Sequence, residues 1–288
     1  MVSVIHKMAY GVKHILELDI AGHNLVPYPD DTFIVSYPKS GNTWTRFLIA
    51  NLLQAEPPLT LLDMERLVPF VDGQTRRFFH HMPRPRVIKD HGPFNPQYKN
   101  VIYIVRDPRD VVISAYNFVL KGAIIDESYP LTTFVNEFVR GARSAVGSWG
   151  ENVASWLATR GNSPRFLLLR YEDMLSGTAH ELGKVASFLG MQVSADGLAE
   201  AVKRSSADNM RKLEKMHGDQ WIQNKHMKRK DIPFVRSAKA GGWQAILPKT
   251  AVAEMESAWG PLMAKLGYEL STSQAVETGA ATATLTER

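Results

Sequence analysis

Residues 32–53 read TFIVSYPKSGNTWTRFLIANLL, and the fold class can be inferred by starting from this stretch. Residues 32–35 are β-branched or aromatic and predict a buried strand, whereas the apolar spacing along residues 43–53 predicts a helix. Between them lies a polar loop, residues 36–42, with one lysine and one glycine. In a strand–loop–helix unit the backbone N–H groups and the positive helix end face an anion. The stretch therefore predicts a phosphate-binding loop.

Outside this stretch, short apolar runs alternate with longer amphipathic ones. Further strands are predicted at residues 86–89 (RVIK), 101–105 (VIYIV) and 166–169 (FLLL). Further helices are predicted at residues 110–120, 177–189, 196–204 and 250–266, with an irregular basic stretch between the last two. Asp110 is the expected N-cap of the first of these helices. Such alternation is typical of a parallel sheet covered by helices on both faces. We predict the α/β class, with a central parallel β-sheet flanked by helices.

One domain is sufficient for the 288 residues, and we place it at residues 1–270. Alanine, threonine and serine dominate residues 271–288, which predicts a disordered tail. The chain has no cysteine, which excludes disulfide bonds, thiolate metal sites and a cysteine nucleophile. No signal peptide is visible in the first twenty residues, and no apolar run is long enough to span a membrane. We expect a soluble, cytoplasmic protein.

The charge of the chain is a weak guide to its partner. With 34 Lys+Arg against 29 Asp+Glu, the net charge of +5 is too small to predict a nucleic-acid surface. A metal site is not predicted either, because no carboxylate lies at ligand spacing from the adjacent His80 and His81. Adjacent residues also point to opposite sides of an extended chain, which would separate the two rings.

The loop departs from the nucleotide-binding pattern G-x-x-x-x-G-K-[ST]. Ser36 stands for the first glycine and Asn42 for the lysine, while Gly41 and Thr43 agree. The lysine of the loop, Lys39, lies three residues earlier and approaches the phosphates from a different side. An ATP-dependent P-loop kinase is therefore one alternative, and a non-catalytic nucleotide-binding protein is another.

Residues 37–44, YPKSGNTW, closely resemble the 5′-phosphosulfate loop YPKSGTTW of sulfotransferases that use 3′-phosphoadenosine 5′-phosphosulfate (PAPS). The resemblance is to the cytosolic type of this family, and we expect a bacterial-like member with its P-loop-like nucleotide-binding fold. It implies that the 5′ end of PAPS is bound by five consecutive residues, Lys39, Ser40, Gly41, Asn42 and Thr43. It also implies that Trp44 offers a ring face to the adenine.

A second segment, YIVRDPRDVVISAYNF at residues 103–118, is similar to the family element that binds the 3′-phosphate. Arg106 and Ser114 occupy its two contact positions, and Ser114 is expected about one turn into the helix. A guanidinium fork and a hydroxyl suit a phosphate dianion. Without the first loop, RDPRD would be interpreted as a salt-bridged turn.

Residues 89–93, KDHGP, are similar to the family's K-x-H-x-P, in which the histidine is the catalytic base. The resemblance thus assigns His91 as the base, and Lys89 could stabilise the transferring sulfonate. Residues 170–175 (RYEDML) place Tyr171 near the adenine amino group. Ser205 matches a hydroxyl residue near the base. The aromatic residue expected two positions later is Ala207, so Met210 is the candidate to replace it.

Residues 235–243, VRSAKAGGW, resemble the family's C-terminal R-K-G-x-x-G-D-W loop only in part. Arg236, Gly241 and Trp243 agree with it. Three positions depart, with Ser237 for lysine, Ala238 for glycine and Gly242 for aspartate. We expect Arg236 to bind the 3′-phosphate without the neighbouring lysine charge and without one of the flexible backbone donors of the family loop.

The resemblance implies transfer of the sulfonate group from PAPS to a small-molecule hydroxyl, a phenol or alcohol, without a metal. Such transfer needs in-line geometry and stabilisation of the leaving oxygen. Lys39 is the candidate for the bridging and leaving oxygens. His91, with an unperturbed pKa near ~6.5, can take the hydroxyl proton. The acceptor and the oligomeric state are left open.

Overall fold

Four parallel strands form the sheet at the centre of the described chain, which in this computed structural model comprises residues 13, 14, 16–54 and 56–271. The strands are β1 (Thr32–Ser36), β2 (Val87–Asp90), β3 (Asn100–Val105) and β4 (Phe166–Arg170). Their spatial order is β2-β1-β3-β4, and all three pairs are parallel. The four predicted strands are present, and the α/β class with a parallel sheet is confirmed.

The α-helices of the described residues are α1 (Asn42–Leu53), α2 (Leu61–Leu67), α3 (Arg76–His81), α4 (Pro108–Lys121), α5 (Leu131–Val139), α6 (Trp149–Arg160), α7 (Tyr171–Ser176), α8 (Thr178–Phe188), α9 (Ala195–Arg204), α10 (Ala207–His217), α11 (Ile222–Lys225) and α12 (Lys249–Lys265). In the part of the chain that the structure describes, no helix combines the length and the hydropathy that a membrane crossing needs.

Alternate residues of the strands face two separate cores. Phe33 and Val35 of β1 belong to the core that includes Trp149 of α6 and Trp259 of α12. Ile34, between them, belongs to the other core, which includes residues of α1, α2 and α8. Successive side chains of a strand point to opposite faces, so a sheet covered on both sides needs apolar residues at every position. This explains the unbroken apolar runs TFIV and VIYIV.

The start of α4 differs from the prediction. The helix begins at Pro108, and the side chain of Asp107 caps it by accepting a hydrogen bond from the Arg109 N–H at 2.9 Å. Proline suits the first helical position because a backbone N–H there has no partner within the helix, so its absence costs no hydrogen bond. Asp110 is therefore not the N-cap, and Ser114 lies nearly two turns into the helix rather than one.

The basic stretch after α9 is not wholly irregular, since it contains α10 and α11. Ser206 caps α10 by accepting from the N–H of Asn209, a local signal that the sequence carries as S-A-D-N. Of the predicted tail, residues 272–288 lie outside the described residues. The domain limits 1–270 stay a prediction.

Candidate active site

The carboxyl ends of the strands bring together the residues predicted from separate segments. The loop with Lys39 follows β1, His91 follows β2 by one residue, Arg106 directly follows β3, and Tyr171 follows β4. From β1 the chain continues to β2 on one side, whereas β3 lies on the other. A crevice at such a reversal of strand order is the usual ligand site of an open α/β sheet.

The phosphate-type loop has a backbone that few residues can adopt. Gly41, the N-cap of α1, has φ 97°, and Lys39 has φ 72° although it is not glycine. A Cβ atom on Gly41 would lie 2.4 Å from Cδ2 of Tyr171, so the tyrosine ring packs directly on the glycine. Glycine is thus required both for its dihedral angle and for this close approach. Backbone strain of this kind concentrates at functional sites.

Two side chains of the loop keep buried polar atoms without a hydrogen-bond partner among the described residues, namely Oγ of Ser40 and Oδ1 of Asn42. The other end of the Asn42 amide donates to Oγ of Ser36 at 3.1 Å and ties the loop to β1. The side chain of Asn42 therefore acts within the loop, and its backbone N–H is the group left for a ligand. An unsatisfied hydroxyl at a helix N-terminus fits an anion.

The Lys39 ammonium lies between two aromatic rings, 4.1 Å from the centre of Phe118 and 4.4 Å from that of Phe234. Burial, together with the positive charges of Arg106 and Arg236, lowers the pKa of Lys39 to about 7. The loop lysine is thus placed where a bound anion would restore its charge.

Lys89 is 2% exposed, and its ammonium lies 4.0 Å from the centre of the Phe70 ring. Burial and the nearby Arg46 lower the pKa of Lys89 to about 7, while Glu65 acts in the opposite direction. Glu65 is held by Arg46 at 2.7 Å, so its charge is already paired. The site therefore contains a second amine, here a buried one, whose charge depends on a ligand.

His91 directs one ring nitrogen at the protein. Its Nδ1 lies 2.8 Å from the carbonyl oxygen of Ser36. A carbonyl only accepts, so Nδ1 carries the proton and Nε2 keeps a lone pair, which is the form a general base needs. Burial, with Lys89 next, lowers the pKa of His91 well below its usual value. The imidazole is therefore neutral at neutral pH.

The backbone around His91 is fixed by three neighbours. Asp90 accepts from the N–H of His91 at 2.6 Å and from the hydroxyl of Tyr98 at 2.9 Å. Asn152 of α6 donates to the His91 carbonyl at 3.0 Å, and Trp156 donates to the carbonyl of Gly92. These contacts hold the residue after the end of β2, where no ladder hydrogen bond does so.

Arg106 links the two loops of the site. Its guanidinium donates to the carbonyl of Lys39 at 3.3 Å and to that of Lys239 at 3.1 Å, and it stacks 4.3 Å from the centre of the Tyr171 ring. Its Nε is buried and has no hydrogen-bond partner among the described residues. Asp110 lies 3.8 Å away. RDPRD is also a salt-bridged turn, since Arg109 pairs with Asp107 at 2.7 Å, and Arg109 further pairs with Glu256 of α12.

The C-terminal loop is anchored to α4. Asp110 accepts from the N–H of Gly241 at 2.8 Å and from that of Trp243 at 3.1 Å, and Arg109 stacks 3.9 Å from the centre of the Trp243 ring. Burial lowers the pKa of Arg236, and the positive charge of the nearby Arg106 lowers it further. Ala238, at a position where the resembled motif has glycine, has φ 51°.

The residues predicted at the adenine lie together but are mutually engaged. The indole N–H of Trp44 donates to the Ser205 carbonyl at 3.0 Å, and its ring meets Tyr171 edge to face with 5.8 Å between centres. The Ser205 hydroxyl is fully buried and accepts from Asn51 at 3.2 Å. Met210 is buried in the neighbouring core. Thr43 and Ser114 are half-buried. The role of each at the nucleotide stays a prediction.

Sequence reasoning missed three residues that shape the site: Phe234, which covers Lys39; Asn152, which holds His91; and Asp110 as a loop anchor. Phe234 immediately precedes the VRSAKAGGW segment, and its position was the one signal that could have found it. The other two act through contacts between distant segments.

The histidine pair lies elsewhere. His80 and His81 belong to α3, not to an extended chain as predicted, and Nδ1 of His80 lies 3.1 Å from Oε2 of Glu17. Among the described residues, no three His, Asp or Glu side chains are grouped to hold a metal ion. That the reaction needs no metal stays a prediction.

Residues 29–267 match the sulfotransferase domain family. The chain belongs to this family. It is 28% identical over 246 residues to sulfotransferase 1E1 of Bos taurus, covering 77% of this chain and 80% of that one. It is 34% identical over 187 residues to sulfotransferase 2A2 of Rattus norvegicus, covering 62% and 65%. Both are mammalian, so the expected bacterial-like character is not confirmed.

The fold of this sulfotransferase is also found among solved structures. One is retinol dehydratase in complex with androsterone and the inactive cofactor PAP, which has a TM-score of 0.72, is 20% identical and covers 85% of this chain and 83% of that one. At this identity the likeness shows the fold. Family membership makes the protein a transferase and does not favour the kinase alternative.

Proposed function

We propose that this sulfotransferase uses PAPS as its donor and transfers the sulfonate group to the hydroxyl of a small molecule. The observation that carries the proposal is the meeting of the half-buried Lys39, the buried Lys89 and a neutral histidine at the strand ends. Lys39 and Lys89 form no ion pair with any described residue, and both have a pKa of about 7. Two amines that form no ion pair, next to a loop with an unsatisfied hydroxyl, suit a polyanion.

The proposed donor would be held at both ends. Ser40, Thr43 and the N–H groups that begin α1 would bind the 5′-phosphosulfate. Arg106 and Arg236 would bind the 3′-phosphate, with Ser114 on the adjoining helix. PAP is 3′,5′-diphosphoadenosine, the product nucleotide left after transfer. It accompanies androsterone in the related retinol dehydratase structure, which supports a donor of this type here.

His91 would take the proton of the acceptor hydroxyl at Nε2, because Nδ1 is engaged with the Ser36 carbonyl. As the oxygen attacks sulfur in line, the bond between sulfur and the bridging oxygen breaks, and the leaving phosphate gains charge. Lys39 would stabilise that charge, and Lys89 would stabilise the sulfonate oxygens. A preorganised cation is most effective where water is excluded, as at the buried Lys89.

An apolar hydroxyl compound is the acceptor class that the surroundings favour. Phe70 meets the His91 ring edge to face with 5.7 Å between centres, and the Phe118 ring lies against the Lys39 ammonium. Aromatic walls around a single polar contact favour a phenol or another apolar alcohol. The androsterone and retinol complexes of retinol dehydratase support the same class. We further propose a cytoplasmic location without a nucleic-acid partner.

Calorimetry separates this function from the kinase alternative. We expect binding of PAP that is equally tight with and without Mg²⁺, and negligible affinity for ATP–Mg²⁺. The kinase alternative requires the reverse, and Asn42 at the position of the phosphate-binding lysine argues against it. A non-catalytic nucleotide-binding protein would bind PAP but would release none from PAPS in the presence of any hydroxyl acceptor.

A further inference from the structure

Two aromatic side chains from distant segments enclose the ammonium of Lys39. The rings of Phe118 and Phe234 meet edge to face with 6.3 Å between their centres, and the ammonium lies within 4.4 Å of each centre. Two cations near Lys39 have a carboxylate at 3.8 Å, Asp110 for Arg106 and Glu214 for Lys121. Lys39 has none among the described residues. The aromatic faces, called here the cation clamp, take the place of a counterion.

The two halves of the clamp belong to the elements that carry the proposed 3′-phosphate contacts. Phe118 lies four residues after Ser114 on α4, so the two side chains occupy the same face of the helix, one turn apart. Phe234 lies two residues before Arg236. The clamp therefore joins the two proposed 3′-phosphate elements around the lysine that serves the 5′ end.

Phe234 is held firmly in the clamp. Glu214 of α10 accepts from the N–H of Phe234 at 2.7 Å and from that of Val235 at 3.0 Å. The Lys121 ammonium donates to the carbonyl of Ile232 on the same segment. Trp221 packs edge to face on the Phe234 ring with 4.6 Å between centres. The ring position is thus set by fixed backbone and packing contacts rather than by Lys39 itself.

We propose that Phe118 and Phe234 are positioning residues that hold the Lys39 ammonium in place for the donor without pairing it with a counterion. The inference rests on the proposed sulfuryl transfer. A carboxylate partner would bind Lys39 strongly and would have to be displaced by the incoming phosphate. Aromatic faces attract the cation weakly and leave its charge available for the oxygen that leaves sulfur. Loss of either ring frees a flexible side chain, which must then be ordered during the reaction.

NMR on protein labelled with ¹³C at lysine Cε tests the geometry without any donor. In the nucleotide-free protein we expect the Lys39 Cε–H resonance, assigned as the one absent from Lys39→Arg, to be shifted upfield by the two ring currents. Lys89, which lies over the Phe70 ring, gives a separate resonance that remains in that variant. Phe234→Leu and Phe118→Leu should each move the Lys39 resonance toward the position of exposed lysines. Phe188→Leu, at the C-terminal end of α8, should leave it unchanged. A Lys39 Cε–H resonance at the chemical shift of exposed lysines in the wild type would overturn the proposal.

Kinetics test the consequence. Phe234→Leu and Phe118→Leu should each lower kcat by about 2- to 30-fold, with a smaller change in the dissociation constant of PAP. Phe188→Leu should retain kcat. A shifted Lys39 resonance together with wild-type kcat in both clamp variants would overturn the positioning role. If the wild type shows the shifted resonance but neither it nor any variant turns over PAPS, the proposed function fails and the aromatic enclosure of Lys39 stands.

Discussion

The Nδ1 atom of His91 lies 2.8 Å from the carbonyl oxygen of Ser36, and this contact sets the tautomer of the proposed base. Ser36 ends β1, and His91 follows the neighbouring strand β2 by one residue. The sheet itself thus orients the imidazole, and the free Nε2 is the atom left for the acceptor hydroxyl.

His91→Ala should lower kcat at least ~100-fold, since a positioned general base contributes about that much or more. The dissociation constant of PAP, measured by calorimetry, should stay within a few-fold of wild type because the ring does not hold the nucleotide. His180→Ala, an exposed histidine of α8, is the matched control and should leave both quantities unchanged. A loss of PAP binding as large as the loss of kcat would remove the base assignment.

The pH dependence should come from the lysines rather than the histidine at neutral pH. The ammonium forms of Lys39 and Lys89 have a pKa of about 7 before the donor binds, so kcat/KM for PAPS should fall as pH rises above about 7. Bound donor charge raises both pKa values, so kcat should decline only at higher pH. Lys39→Arg keeps its charge and should make the decline in kcat/KM less steep. A kcat/KM that is flat to pH 9 in the wild type would contradict this assignment.

Lys89→Met should stabilise the fold while impairing transfer. The depressed pKa of about 7 in the folded state means that burying the ammonium costs stability fully below pH 7, and that the cost disappears as pH rises toward the unfolded value. We expect the free energy of unfolding at pH 6 to rise by about 1 to 3 kcal/mol, with a gain that shrinks by pH 10. Urea unfolding at both pH values measures it.

Arg106→Ala should weaken binding of PAP by about 10- to 100-fold, as expected for loss of a charged hydrogen-bonding group. Binding of adenosine 5′-phosphosulfate, which lacks the 3′-phosphate, should change far less. Arg229→Ala, whose guanidinium pairs with Glu127 and Asp231 on the surface, serves as the control. Equal losses for both nucleotides would mean that Arg106 acts only by joining the carbonyls of Lys39 and Lys239.

Ala238→Gly should relieve backbone strain in the C-terminal loop. The φ of 51° costs alanine roughly 1 kcal/mol that glycine does not incur, partly offset by the greater freedom of glycine in the unfolded chain. We expect unchanged or slightly higher stability and PAP binding tighter by about 2- to 3-fold. Ala240→Gly is matched in composition, but residue 240 has no positive φ, so it should give no gain. A gain from Ala240→Gly alone would refute the conformational explanation.

Local sequence was sufficient for the strands and for the phosphate-type loop, because unbroken apolar runs and the glycine at position 41 encode them directly. It was insufficient for the helix boundary at Asp107, where a cap and a proline moved the start of α4 by two residues. Asp110 has an acidic side chain at a helix start, which suggested a cap. Its actual partners lie 131 and 133 residues away in the C-terminal loop.

Residues of the candidate site that lie in motifs could be expected from the sequence, whereas residues brought there by packing could not. Lys39, His91 and Arg106 follow strands, so their convergence could be expected from the parallel order. The enclosure of Lys39 by Phe118 and Phe234 depends on a segment held by Glu214, a contact between residues distant in sequence. The buried pair of Arg46 and Glu65 likewise joins α1 to α2 and has no periodic signal.

Sulfuryl transfer from PAPS with His91 as base can be measured as turnover of PAPS carrying a radiolabelled sulfonate, with a panel of phenols and apolar alcohols. We predict label transferred to a hydroxyl acceptor in a one-to-one ratio with PAP released, without added metal, and at least ~100-fold slower in His91→Ala. Contradiction would come from wild-type protein that binds PAP and transfers no label to any acceptor, or from His91→Ala that transfers it at the wild-type rate.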